Sequence, residues 1–302
     1  MSLERIIRVV NLEQQNSYFN VALDEALIEL VKEELVLPTL VFTEWSPTIS
    51  VGYSQDVHKD VDLGALKKHN VTLVRRISGG QAVYLDQGYI VFSIVAPRSY
   101  FPSELDELRK YVCEVMVKTL NENEIPAEFY PPDNVIIKDG ENIMTIGNSG
   151  QRITKNTIAV HGSIRYDLLN FENMLDILMT NGSKLNMFSE QIRQHLAYVK
   201  KFSDISKEEL KNALLVNILS QFNATPHKEE LKPEVDQEKI HKLKTRYESE
   251  DWIFNAVANP APRGVCYFYL DGECIVPEIE KLLPSNKPSG LQEATIEVPN
   301  GI

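Results

Sequence analysis

Six consecutive residues, Arg75-Arg76-Ile77-Ser78-Gly79-Gly80, combine side chains that hold anions with a backbone able to close around them. A guanidinium offers a planar fork to phosphate or carboxylate, a hydroxyl adds a donor, and glycines expose amide N–H groups without side-chain obstruction. The same string also describes a Gly-Gly hairpin turn with two solvated arginines, and the pattern alone does not choose between them. Gly147-Asn148-Ser149-Gly150-Gln151-Arg152 reads as a second polar loop able to fold over a ligand, or as an ordinary connection between strands. His161 beside Gly162 suits a carbonyl or phosphate contact, or a packed strand position. Asp133-Asn134, behind Pro131-Pro132, suits a ribose or a metal, or a turn.

The elements that must position these groups follow from periodicity. Residues 20–34 place apolar side chains at helical spacing, with Asn16 and Ser17 upstream as candidate caps. Residues 40–45 and 48–53 are β-branched and aromatic, separated by Ser46-Pro47, and predict two strands joined by a turn. Further strands are expected at residues 71–74, 82–84 and 89–95. A helix is expected at 103–120, opened by Ser103 with Asp106 as a capping box. Residues 135–137 and 143–146 flank Asp139-Gly140, a hairpin signal of the type I′ kind, and residues 157–164 supply another strand. Helices are expected at 171–179, at 206–222 behind a Ser206/Glu209 capping box, and at 236–247. Proline and glycine then mark a linker at 255–263, a strand at 265–270 and a helix at 275–283, with residues 284–302 as a tether.

Composition narrows the function classes. The 302-residue chain is 43% hydrophobic and 25% charged, ordinary globular values. Its net charge of −12 argues against nucleic acid as a partner, because phosphate-backbone binders need clustered positive charge. Cys113, Cys266 and Cys274 form no disulfide framework and no Cys-x-x-Cys pair, so a reducing cytoplasm is the expected location. No apolar run approaches the ~20 residues that span a bilayer.

The order of the pieces resembles the lipoate-protein ligase A family over residues 16–255. Residues 20–27 (NVALDEAL) are similar to the family's N-terminal helix and residues 45–55 (WSPTISVGYSQ) to the strands that follow. Arg75 to Asp86 resembles the signature R-R-x-S-G-G-G-x-V-Y-H-D, and Tyr247 to Trp252 the Tyr-Ser-x-x-x-Trp pattern. The resemblance implies an α+β catalytic domain at 1–255, a mixed sheet flanked by helices as in biotin–lipoate ligases and class II aminoacyl-tRNA synthetases, and a small extension at 256–302. It implies ATP and Mg²⁺, lipoate or octanoate activated as an acyl-AMP, and transfer to a lysine of a lipoyl carrier domain. That domain would belong to a 2-oxoacid dehydrogenase or the glycine cleavage system.

Carried over, Arg75, Arg76, Ser78, Gly79, Gly80 and Gln81 would hold acyl group and phosphate. Asp133, Asn134, Gly147 and Asn148 would line the nucleotide or metal side, His161 and Gly162 would close the pocket, and Tyr84 with Val83 would line the acyl tunnel. The departures are equally specific. Gln81 replaces a third glycine, Leu85 the signature histidine and Tyr89 an asparagine. The family lysine of the K-x-x-G segment is absent, with Thr145 or Met144 in its place; Lys155 or Lys138 is the candidate substitute. Two functions are therefore expected to compete: an acyltransferase, or a non-catalytic homologue serving as an accessory subunit. Cysteine-based transfer ranks below ligase chemistry, since Cys113 falls in an expected amphipathic helix and Cys266 and Cys274 lie past the matched region.

Overall fold

A computed structural model describes residues 5–180, 182–257, 269–270 and 273–274. The elements begin with β1 (Arg5–Asn11), α1 (Ser17–Lys32), β2 (Thr39–Thr43), β3 (Thr48–Val51), α2 (Val57–Asp60), α3 (Leu63–Lys68), β4 (Thr72–Arg75) and β5 (Val83–Leu85). There follow β6 (Tyr89–Pro97), α4 (Leu105–Asn121), β7 (Ala127–Tyr130), β8 (Asn134–Asp139), β9 (Asn142–Ile153), β10 (Thr157–Arg165), α5 (Phe171–Ile177) and the short β11 (Met179–Thr180) and β12 (Ser183–Lys184). The chain continues through α6 (Ser189–Gln194), α7 (Lys207–Phe222), β13 (Ala224–Lys228), α8 (Glu238–Tyr247) and α9 (Glu250–Asn255).

Eight strands form one mixed sheet in the order β13-β1-β2-β6-β10-β9-β8-β7, and β4-β3-β5 form a second, smaller one. In the large sheet β1 pairs parallel with β13 and β2, and the other neighbours pair antiparallel. Alternation along β6 shows why the chain needs helices on both faces. Val91 and Val95 enter one core with α1, α5 and the small sheet, while Ile90, Phe92, Ile94 and Ala96 enter a second core with α4 and α7. One strand in from the sheet's edge, buried Arg8 on β1 reaches Asp236, just ahead of α8, through two nitrogens at 2.9 Å each, tying the late helices to the first strand.

Several expectations shift for physical reasons. β2 and β3 do not pair: Ser46-Pro47 carries the chain from the large sheet into the small one. At α4 the cap is Glu104 with no side-chain hydrogen bond, so the Ser103/Asp106 box does not form, whereas the Ser206/Glu209 box does at α7. The β8–β9 hairpin closes on Asp139 opposite Asn142 and only Gly140 has positive φ, which moves the turn one residue on from Asp139-Gly140. Residues 147–152 are not a loop but the second half of β9, bonded to β10 from Gly147–Ile164 through Arg152–Ala159. The glycines there are close-approach positions: a Cβ on Gly147 would stand 2.6 Å from Ser163 O. Of the expected C-terminal extension only the strand pair Tyr269–Leu270 and Glu273–Cys274 is described, so the expectations for 258–268 and 275–302 lie outside the described residues.

Candidate active site

β4 ends in two arginines with different fates. Arg75 is 1% exposed. Its Nε donates to Ile253 O at 2.9 Å, and Nη1 lies 2.7–3.0 Å from the carbonyls of Gly52, Tyr53 and Gln55. The 247–252 motif braces the same strand: Trp252 Nε1 donates to Arg75 O at 2.9 Å, and the Tyr247 hydroxyl donates to Glu25 on α1. Arg75 is thus an internal staple, which corrects its expected role as a ligand-holding fork.

Arg76 is half-buried and curls the loop around itself, with Nη1 donating to Ser50 O at 2.7 Å and Nη2 to Gly79 O and Gln81 O at 2.7 and 2.8 Å. This wrapping sets Gly80 at φ +93°, where only glycine is unstrained, and presses the turn against β3 so closely that a Cβ on Gly52 would stand 2.1 Å from Gly80 O. The Gly79 position is open among the described residues, with none of their atoms within 4 Å of where a Cβ would sit.

The loop meets β10 through Ser78. Its Oγ receives Arg76 Nε at 3.1 Å and lies 3.1 Å from His161 Nε2, while His161 Nδ1 is 3.6 Å from Asp24 Oδ2 on α1. Asp24 was not among the residues expected at the site; its signal in the sequence is an acidic pair, Asp24-Glu25, interrupting the apolar run 21–28 of α1. The imidazole lies on Gly150 of β9, where a Cβ would stand 2.4 Å from Nε2. Asp133 completes the group. Burial pushes its carboxyl up to about 6, against the pull of Arg109, Arg76 and His161, all close enough to act on it.

Asn134 (3% exposed) and Asn148 face one another across β8 and β9 and share a tight crevice with Thr145, Tyr89, Ser163 and Arg165. Met144 and Ile146 point into the second core, so Thr145 between them is the residue of this stretch on the site's face. The Thr145 hydroxyl is buried with no hydrogen-bond partner among the described residues. The cation beside it is Arg165, 1% exposed, whose Nη1 donates to Thr145 O at 2.7 Å and whose Nε donates to the Tyr89 hydroxyl at 2.9 Å. Sequence reading passed over Arg165, a single charge closing the apolar strand 158–164.

Four expected roles are relocated. Lys155 is exposed at the β9–β10 turn, three rungs and a turn from His161, on the order of 15 Å at about 3.4 Å per residue and beyond a lysine stem. Lys138, at the far end of β8, pairs with Glu128 at 2.6 Å. Gly162 faces Phe92 and Met116 on the opposite side of the sheet, and Tyr84 is core at 1% exposure. Cys113 is fully buried on α4 and burial pushes its thiol far up, as its helical setting suggested. Among the described residues no three His, Cys, Asp or Glu side chains cluster to hold a metal, and no helix is long and apolar enough to cross a membrane. A groove lined by Leu35, Leu37, Pro97, His227 and Lys232 shares none of these residues.

Residues 16–219 match the family model of the lipoyl protein ligase A/B catalytic domain. The chain belongs to that family. Among curated relatives it is 30% identical over 250 residues to the "Probable lipoate-protein ligase A" of Mycoplasma pneumoniae, covering 80% of this chain and 69% of that protein. It is 26% identical over 271 residues to the octanoyltransferase LipM of Macrococcus caseolyticus, covering 81% and 96%. Among solved structures, the bipartite lipoate protein ligase of Thermoplasma acidophilum, described with its E2 lipoyl domain, superposes with a TM-score of 0.74 at 22% identity over 84% of this chain and 97% of that one. A lipoate-protein ligase A bound with ATP superposes at 0.69, with 22% identity, over 84% and 100%. For this lipoyl ligase-family chain the expected fold, a mixed sheet flanked by helices, is shown.

Proposed function

We propose that this chain transfers a lipoyl or octanoyl group, activated with ATP as an acyl adenylate, to a lysine of a lipoyl carrier domain. The observation that carries the reading is the convergence of Arg76, Ser78 and His161 beside Gly79, which is open among the described residues, with the Asp133 carboxyl in the field of Arg76 and His161. The ATP-bound ligase and the ligase described with its lipoyl domain support the nucleotide and the carrier. The residues present fit a nucleotide: the orphaned Thr145 hydroxyl and the open space over Gly79 both await polar or bulky neighbours. Bound ATP supplies the anhydride that makes a carboxylate an acyl donor. Arg76 and the Gly79 and Gly80 amides would hold its phosphate, and Asn134 and Asn148 the nucleoside side. Asp133 would hold Mg²⁺, which needs only one or two protein carboxylates.

Thr145 brings no charge to the carbonyl, so polarisation falls to Arg76 and the glycine amides, preorganised donors in a partly dry site. His161 is placed to take the proton that the carrier amine sheds. The accessory-subunit alternative is not favoured, since the relatives bear ligase and octanoyltransferase names. Calorimetric titration with a non-hydrolysable lipoyl-AMP analogue tests the site without turnover. One-to-one binding that Arg76→Ala weakens at least tenfold is expected; an analogue that does not bind overturns the reading.

A further inference from the structure

Resting on the acyl-transfer reading, the geometry points to Ser78 as a nucleophile that carries the acyl group covalently. Among the described residues the Cys113 thiol is fully buried, and Thr145 brings the site's face a hydroxyl and no charge. The site instead holds a hydroxyl, an imidazole and a carboxylate drawn from the β4–β5 loop, β10 and α1. Ser78 Oγ lies 3.1 Å from His161 Nε2, and His161 Nδ1 lies 3.6 Å from Asp24 Oδ2. Ser78 Oγ accepts from Arg76 Nε at 3.1 Å and keeps its one hydrogen, which the proposed role gives to His161 Nε2. Nε2 is then the bare nitrogen and Nδ1–H faces Asp24. That is the tautomer a general base requires, and the Asp24 carboxylate 3.6 Å from Nδ1 favours a hydrogen on that nitrogen.

Packing holds this line in place. Only glycine at position 150 leaves room for the imidazole, a Cβ there standing 2.4 Å from Nε2. Ser78 is 1% exposed, and the donor enters over Gly79, where the structure is open and where two successive glycine amides follow the hydroxyl. Backbone donors next to a serine are the usual stabilisers of an acyl oxyanion. Asp24 is a positioning residue: it touches His161 and not the acyl group.

The substrate class is an activated acyl ester, either an adenylate or a thioester. Ser78 Oγ bonds to the acyl carbonyl carbon and gives its proton to His161 Nε2, and the bond to the leaving group breaks. AMP departs as its anion, leaving the proton on His161 for solvent; a thiolate takes that proton and departs as the thiol. The carrier lysine's amine then attacks the serine ester and an amide forms. Oγ is reprotonated as the amine's proton passes to His161, and the chain returns to its starting state.

The test uses the full chain without carrier. It is incubated separately with octanoyl-AMP and octanoyl-coenzyme A, quenched in acid, and read by intact mass and peptide mapping. The expected result is one octanoyl group on the peptide containing Ser78, stable to neutral hydroxylamine and cleaved by alkaline hydroxylamine, as an oxygen ester is. Ser78→Ala should form none, while Ser78→Cys should form a thioester that neutral hydroxylamine removes. His161→Gln should slow acylation at least a hundredfold. Asp24→Asn should slow it at least tenfold without changing octanoyl-AMP affinity, a split that loss of structure would not give. An adduct that persists in Ser78→Ala, or no adduct from either donor while octanoyl-AMP still binds, overturns the serine ester and leaves the acyl-transfer reading standing. If octanoyl-AMP neither binds nor reacts, both fall.

Discussion

Replacing Arg75 by methionine separates the two arginines of the signature loop more cleanly than any activity assay. Methionine keeps much of the apolar stem and removes every donor. Arg75 gives charge-assisted hydrogen bonds at 2.7–3.0 Å to four backbone carbonyls, those of Gly52, Tyr53, Gln55 and Ile253. Each such bond is worth about 1.5–3 kcal/mol net, and a buried carbonyl left unpaired costs about 1–3 kcal/mol. The losses do not add, because one guanidinium serves all four and the chain relaxes. Breaking a buried charged contact typically costs about 3–5 kcal/mol in total. At about 2–4 °C per kcal/mol for chains of this size, the melting temperature should fall by roughly 6–20 °C. Arg76→Met, at a half-buried position on the loop surface, should cost only about 1–2 kcal/mol while abolishing binding of an acyl-adenylate analogue. Thermal denaturation followed by circular dichroism, with calorimetric titration in parallel, gives both readings. If Arg75→Met melts within about 2 °C of the parent and loses ligand affinity instead, the staple role is refuted and the forked-ligand reading of both arginines returns.

Gly150→Ala places a methyl against the far end of the His161 side chain, so stability should change by less than about 1 kcal/mol while acyl transfer falls at least tenfold; equal rates would mean that His161 can act from another rotamer. Thr145→Val removes a buried hydroxyl that has no partner among the described residues, and should raise stability by about 1 kcal/mol while weakening acyl-adenylate binding, read by thermal melts and titration. Asp133 holds its proton more tightly folded, at about 6, than unfolded, at the ordinary 3.8. Its contribution to stability is therefore fully present below about pH 4 and is lost as pH rises to about 6. The difference in unfolding free energy between the parent and Asp133→Asn should shift by about 1–2 kcal/mol between pH 4 and pH 7 and stay flat above, and a flat difference throughout would contradict the burial of that carboxyl. Gly52→Ala, which would drive a Cβ to 2.1 Å from backbone at Gly80 O, should lower the melting temperature and ligand affinity together, because neither backbone can yield without moving the turn.

The strands, the main helices and the signature loop were legible because each has a local cause: period-two burial in β6, a reciprocal cap at Ser206, glycine where φ is positive. What sequence did not show is which neighbour each polar group finds. Arg75 and Arg76 are identical in type and adjacent, and only the return of residues 247–253 against β4 makes one internal and leaves the other at the loop. Gly147 and Gly150 were read as loop punctuation, yet they belong to a continuous strand whose neighbour brings Ser163 O and the His161 ring too close for a side chain. Asp24 and Arg165 act across elements distant in sequence, so periodicity marks them only as charges out of place. Which of Met144 and Thr145 faces the site depends on a bulge that sequence conceals: β8 and β9 shift register between Val135 and Ile136, so Thr145 shares a crevice with Asn148 while Met144 joins the second core.

The central claim, that this site moves an acyl group onto a carrier lysine, is tested most directly by the intact mass of a lipoyl carrier domain incubated with the full chain, ATP, Mg²⁺ and lipoate or octanoate. One acyl group should appear on the carrier's lysine with the parent chain and be at least a hundredfold slower to appear with His161→Gln. A carrier whose mass never changes, although the same preparation binds the acyl adenylate, would contradict it.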